Sequence, residues 1–425
     1  MRLFLAACAL LTFFFLSGCG SEDGFTPESP PAGLLRVFNA IPDSPGLIVN
    51  FENQSVGFIE FGTSSAFIQV LPEVTRTLRV SFIENRAEIT LIGRDVEIAV
   101  NDLLTAVIAG TMNDPQLILI SDIPPEFAAD GTISELRIVH AATAATETVN
   151  FHLTADDVPA GNPLVSVSRN SATELFTIEA SDNARLRVFN SDSALLWDSG
   201  SFNFVASARP LFLLQDYFGP GDSVVRAVSV GASAASSFPS EIITSSARFA
   251  NMVSDRTAVD LYLDGALMAE GLLFGDVGDY QDLDAGDYTV TVTTANSIDD
   301  VIAETSLTAV SGEFHTVIAT GIGEFNGTLS SQDDLRRVAS RAHVAFSNVS
   351  PTAGVSDLYI LQPGQSITDF LPSLSGISSP GNQDIRIIPG IYELTLTQSG
   401  TRTVTVGPQQ INVSADGLYR VYFTD

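Results

Sequence analysis

Lysine is missing from this sequence: all 20 basic residues are arginine, against 50 acidic ones, for a formal net charge of -30 over 425 residues. Such a surface repels nucleic acid and anionic lipid headgroups, which require basic footprints, so no nucleic-acid partner is expected. Its plainest role is solubility, with self-repulsion screened by salt over about 10 Å. Cysteine is almost as scarce. Cys8 and Cys19 are the only two, both near the amino end, so the remaining chain has no disulfide framework and must be stabilised by ordinary cores. Histidine occurs at His140, His152, His315 and His343 only. A zinc site needs three or four converging ligands. His140 and His152 are expected on adjacent strands, but no third nitrogen or sulfur ligand accompanies them, and no metal or other cofactor is assigned. A Gly-x-Ser-x-Gly nucleophile elbow is absent too. The nearest string, "GPGDSV" at 219–224, has no placed histidine partner. No apolar run after residue 19 reaches the 18 residues of a spanning helix.

At the amino end, Arg2 and the apolar run Leu3 to Leu16 have the form of a secretory signal covering residues 1–18. Leu16-Ser17-Gly18-Cys19 resembles the lipobox of bacterial lipoproteins, which implies lipidation of Cys19. Each buried methylene of an acyl chain contributes about 0.8 kcal/mol, so two or three chains suffice to hold a protein on a membrane. Residues 19–33, with Pro27, Pro30 and Pro31, read as a tether. Gly20 after the cysteine suits outer-membrane sorting by analogy with lipoproteins, and the face of that membrane stays open.

Beyond the tether one pattern recurs. "LRVFNAIPDSPGLIVNF" from Leu35, "LRIVHAATAATETVNFHL" from Leu136, "ARFANMVSDRTAVDLYLDG" from Ala247 and "HVAFSNVSPTAGVSDLYIL" from His343 each join two strands through a turn of small residues. The second strand carries a shared polar position: Asn50, Asn150, Asp260 and Asp357. A strand of period two follows in each, as in "TLRVSF" from Thr77 and "YTVTVTT" from Tyr288, and then a late apolar strand: "TAVIAG", "PLFLLQ", "TVIATG" and "YRVYF". Alternation with frequent turns and little helical period predicts β-sandwiches.

The third unit resembles the domain-of-unknown-function 4397 family, whose units open with an Arg-Val-x-His-Ala-like string and continue to a Val-Asp-Val-Tyr-like strand. The second unit agrees at Arg137, His140 and Ala141, and the first at Arg36, Pro42 and Asp43. The fourth departs, with Val344 at the arginine position and Ser347 at the His/Asn position. What the resemblance implies is a sandwich fold; it brings no catalytic residues. The expectation is therefore an all-β chain of four tandem immunoglobulin-like or transthyretin-like β-sandwich domains, at 34–123, 134–232, 245–330 and 340–425. Residues 121–131 and 231–241 read as linkers, 331–342 as a short connecting helix, and the whole as a jointed rod.

Candidate chemistry is sparse. Asp276, Asp279, Asp282, Asp284 and Asp287 form the densest acidic stretch and are the raw material of a calcium site, though without EF-hand spacing and without counterpart in the fourth unit, so a solvated turn is favoured. Arg36, Arg137 and Arg248 are expected to fix strand register against Asp or Asn on the neighbouring strand, with ligand binding as the other reading. Trp197 reads as a core aromatic ahead of a sugar-stacking platform. The function expected is that of a lipid-anchored envelope module, binding, adhesive or structural rather than catalytic, with an envelope protein or a glycan as partner. Two alternatives stay open: an envelope hydrolase acting on polysaccharide, and an accessory subunit of an envelope complex.

Overall fold

The first and late strands of each repeat lie side by side and parallel, an arrangement that local sequence cannot dictate. In a computed structural model, Gly33–Asn39 pairs with Leu103–Gly110, Ile133–His140 with Leu211–Asp216, Ser245–Val253 with Phe314–Ile322, and Ala342–Asn348 with Leu418–Phe423. The structure describes residues 32–424 apart from 85, 128–130, 232–233 and 239. Every regular element among them is a strand. The eight sheets close in pairs, each pair enclosing one core. One sheet of a repeat holds the first and late strands; the other holds the second strand and the period-two strand, as in Leu47–Phe51 against Arg76–Glu84.

Burial follows the pleat. Leu47, Val49 and Phe51 turn inward from their strand while Ile48 and Asn50 are only half-buried. Leu103–Gly110 behaves differently, being buried along almost its whole length. A strand covered on both faces needs apolar residues at both parities. That is why "TAVIAG" runs without alternation: one parity enters the core of the first repeat, and the other meets the second repeat.

The shared polar position of the second strand is structural. Asp260 Oδ1 accepts the N–H of Gly271 at 2.6 Å and Asp357 Oδ1 that of Gly376 at 2.8 Å, at points where the strand register slips by a bulge. Gly271 and Gly376 have φ of +60° and +67°, a conformation glycine takes without a Cβ penalty. Burial would raise the Asp357 carboxyl, but the N–H groups of Gly376 and Gly400 and the Ser399 hydroxyl outweigh it and hold it below the usual carboxylate range.

Three expectations need correction. Residues 331–342 form no helix: the strand Phe325–Asp333 runs into an irregular segment closed by a bridge between Val338 and Arg341. Arg336 Nη1 is bound there to the carbonyls of Pro42 and Ser44, and Ala339 N to that of Asp43, so contacts with the first repeat decide the backbone. The supposed linker at 231–241 adds the strand Ala235–Ser237 to the second repeat and places Phe238 against Trp197, Phe202 and Phe212. The sandwiches are not strung end to end as a rod. Repeats one and two bury Phe38, Val107 and Ile118 against Val139, Leu213 and Val228, while repeats three and four meet through Ala250, Met252, Ile318 and Val349.

Candidate clefts at the paired sandwiches

Each joint between paired sandwiches carries the same polar clasp. In the first, Arg36 Nε donates to Thr105 Oγ1 at 2.8 Å with its guanidinium 4.7 Å from the Phe67 ring centre, and Arg137 of the second repeat donates to Asp122 at 2.7 Å. In the second, Arg248 Nε donates to Thr316 Oγ1 at 2.9 Å over the Tyr280 ring, and Arg420 of the fourth repeat pairs with Asp333. Register makes the two sets equivalent: Arg36 faces Thr105 and Arg248 faces Thr316, while Asp122 and Asp333 both stand where the last strand of the odd repeat ends. A guanidinium presents a planar fork of donors, so one hydroxyl, one aromatic face and one carboxylate can be engaged together.

The fourth repeat keeps its arginine by moving it. Ala345, not Val344, faces the residue equivalent to Thr105, and that residue is Arg420. Asn348, not Ser347, occupies the His/Asn position, its Nδ2 donating to Gly354 O at 2.9 Å as Asn39 and Asn251 donate to Ile59 and Leu272 carbonyls. Arg36, Arg137 and Arg248 thus do not fix register against a neighbouring Asp or Asn. They bind a threonine within the repeat, or groups of the adjoining one: Arg36 reaches the carbonyls of Val230 and Gly231. Burial draws Arg36 down to about 10, partly offset by Asp122.

The clefts above the two clasps differ. The first, of about 220 Å³, is walled by Arg36, Asp122, Arg137 and Arg209. The second, of about 530 Å³, adds His343, Asn382 and Asp384 to Arg248, Asp333 and Arg420. Asp333 is nearly saturated, taking the Tyr280 hydroxyl at 2.6 Å, the Thr316 hydroxyl and Arg420, with Arg248 at 3.7 Å. Burial, then the Asp333 carboxylate, pushes the Tyr280 phenol up. Both ring nitrogens of His343 face acceptors at 3.0 Å, the Asp334 carbonyl and the Asp384 carboxylate. Both nitrogens are thus turned to acceptors of the protein itself.

The other sequence candidates are scattered. Asp276, Asp279, Asp282, Asp284 and Asp287 are all exposed; Asp276 accepts the N–H of Leu273 and Asp287 the Thr308 hydroxyl. Among the described residues no three His, Cys, Asp or Glu side chains are grouped to hold a metal ion. His140 and His152 sit in different sheets of their sandwich and bind the carbonyls of Thr146 and Ala160. Trp197 is fully buried among core aromatics. Ser223 of "GPGDSV" is buried and spends its hydroxyl on the carbonyls of Leu196 and Val225. Cys19 lies outside the described residues. Asp122, Asp333, Arg209 and Arg420 were not singled out from sequence; matching the ends of the odd repeats, "LILISD" against "GTLSSQD", is the signal that would have found the two aspartates.

A family model described as "Domain of unknown function (DUF4397)" matches residues 33–151 and 245–359. Both matches open at the first strand of an odd repeat and cross the joint to the second strand of the even one. No curated protein matches the chain. Among solved structures, the Bacillus anthracis TIE protein is similar at 10% identity over 92% of this chain and 68% of that one, with a TM-score of 0.16, too loose a superposition to carry an argument.

Proposed function

The chain belongs to the DUF4397 family, and from that premise we propose that it is a non-catalytic binding or adhesive module of a bacterial cell envelope, anchored to the outer membrane through lipidated Cys19, with a glycan or an envelope protein as partner. The observation that carries the non-catalytic part is the state of the polar groups in the 530 Å³ cleft: Asp333, Asp334 and His343 are engaged by protein partners, and Asp384 alone keeps a carboxylate oxygen without a hydrogen bond among the described residues. A wall of this kind can hold a polar ligand by hydrogen bonds, while a hydrolase acting on polysaccharide needs two carboxyl groups free to exchange protons with substrate and water.

Two measurements test the reading. On immobilised envelope glycans, the protein is expected to bind without releasing reducing ends; release of reducing ends would install the hydrolase instead. For the anchor, Cys19→Ala is expected to move the protein from the membrane to the soluble fraction. Because the sequence has no lysine, mature protein acylated at the Cys19 amine is also expected to stay unlabelled by amine-reactive esters. Strong labelling would show a free amino terminus and remove the N-acyl chain from the proposal.

A further inference from the structure

A third concavity, of about 240 Å³, lies where the segment after Asp333 meets the first, second and third repeats. Two arginines stand in its wall against one ring: Arg226 and Arg336 are 5.8 and 5.2 Å from the centre of Phe61. Neither has a carboxylate within 4.0 Å among the described residues, unlike most arginines that line the two clasps. Arg336 is 7% exposed, and its Nη1 is fixed on the carbonyls of Pro42 and Ser44, which leaves no freedom to swing toward solvent. Arg226 is held by Gln215: with the amide oxygen turned toward the guanidinium, it accepts from Nε and Nη2 at 2.6 and 2.8 Å. The loop closes tightly here. A Cβ at Gly62 would stand 2.5 Å from Arg226 Nη2.

Of the four carboxylates that share the wall, three are engaged elsewhere. Asp216 accepts the Thr143 hydroxyl and the Ala144 N–H, both at 2.6 Å; Asp334 takes Arg386 and the Arg336 N–H; Asp333 belongs to the clasp. Glu313 stands 3.9 Å from His315 Nε2, which itself accepts the Val310 N–H, so Glu313 is the one wall carboxylate without a hydrogen bond among the described residues. Two partly desolvated guanidinium groups therefore border one cavity with no carboxylate in contact among the described residues; those that act on Arg336, namely Asp334, Glu60 and Asp43, do so from beyond 4.0 Å. Burying charges in this way is costly unless something compensates them. Phe61 and Phe218, edge to face at 5.8 Å, give the same cavity an apolar side.

We propose that this junction cavity is a binding site for a small organic carboxylate, its oxygens forked by Arg226 and Arg336 and its apolar body resting on Phe61 and Phe218. The chemistry is that of a planar anion: guanidinium matches carboxylate geometry in pairs of parallel hydrogen bonds. The site adjoins the His343 cleft through the shared segment 332–335, but its two arginines and two phenylalanines belong to it alone, so it stands or falls independently of the envelope reading.

Calorimetric titration of the full chain at low ionic strength tests it, with benzoate as probe and benzamide, phosphate and acetate alongside. Saturable binding of one benzoate is expected, about tenfold or more tighter than benzamide, since removing the charge forfeits charge-assisted hydrogen bonds. Acetate is expected to bind more weakly than benzoate, having no body for the phenylalanines. Arg226→Met and Arg336→Met are each expected to weaken benzoate about tenfold. No benzoate binding, equal affinity for benzamide, or tighter binding of phosphate would overturn the proposal. So would full affinity in the Arg226→Met, Arg336→Met double variant. The benzoate-to-benzamide ratio is read on the unmutated protein, so the test survives a variant that fails to fold.

Discussion

The two joints start from one plan and end differently. Both bring together the sheets that hold the first and late strands, and both are fastened by an arginine on a threonine and a second arginine on an aspartate. At the joint of repeats one and two, the facing positions include Phe38, Val107, Ile118 and Ile120, all buried against the second repeat. At the other joint the register-equivalent positions of the third repeat are Ala250, Ile318, Leu329 and Ser331, and the fourth repeat offers Ser347 and Tyr422. Fewer and smaller apolar side chains bring the sheets together there, and a cleft of about 530 Å³ stands open against about 220 Å³ at the first joint. The lesson is a division of labour: the clasp sets how the sandwiches are aligned, and the apolar residues set how far they close. The first joint closes on its apolar face, and the second keeps an open cleft.

Cutting the apolar face should have the largest effect. Phe38→Ala is expected to cost about 3–5 kcal/mol, the usual range for a fully buried phenylalanine. Trp197, the sole tryptophan, reports from the core of the second repeat. A denaturant midpoint by Trp197 fluorescence that stays put while the first repeat loosens would show that the first joint does not couple the two sandwiches.

Removing the clasp carboxylates should rank the joints the other way. Asp333→Ala strands Arg420 and loosens Arg248 inside the second joint, for about 3–5 kcal/mol. Asp122→Ala frees one guanidinium, Arg137, with a more exposed carboxylate, and is expected to cost about 1.5–3 kcal/mol. Equal losses in urea unfolding would mean that the saturation of Asp333 adds nothing to the pair.

Acid should touch the second joint in a way that has no parallel at the first. The hydrogen bond from His343 holds the Asp384 carboxyl below the usual carboxylate range, against desolvation and with help from Arg386 and Arg420. Its contribution is therefore complete above the unfolded value of about 4 and is lost as pH falls through the lowered folded value. Asp384 is 65% exposed, so the effect is small and screened by salt. Melting curves should show Asp384→Asn less stable than the parent at pH 7, with the gap closing toward pH 3; a constant gap would assign the loss to something other than charge.

The least effect belongs to the acidic turn of the third repeat. Asp279→Asn and Asp284→Asn are expected within about 0.5 kcal/mol of the parent, as for other exposed positions. Millimolar calcium is expected to leave the melting temperature alone. A calcium-dependent rise that disappears in Asp284→Asn would give the aspartates a role the fold does not suggest.

Much of the architecture was legible in the sequence. Period-two strands such as "YTVTVTT" carry their own instruction, because alternate side chains face alternate sides, whereas the run "TAVIAG" read only as a late apolar strand, and its cover on both faces came from the joint. The clasp was not legible, because its partners are far apart in sequence and one of them changed strands: Arg420 replaces an arginine sought at Val344, and only the parallel register of the two strands reveals the exchange. The residues 331–342 misled for a related reason, since a sequence with helical character was drawn open by carbonyls of the first repeat.

By itself, then, the sequence determined four copies of a β-sandwich, their turns and their acidic, lysine-free surface, since each follows from neighbours within a few residues along the chain. Which sheets face each other, which arginine meets which aspartate and where a cavity is left were decided only in three dimensions. Those outcomes depend on side chains separated by tens to hundreds of residues, whose packing volumes and charges are compared only once the strands have been brought together.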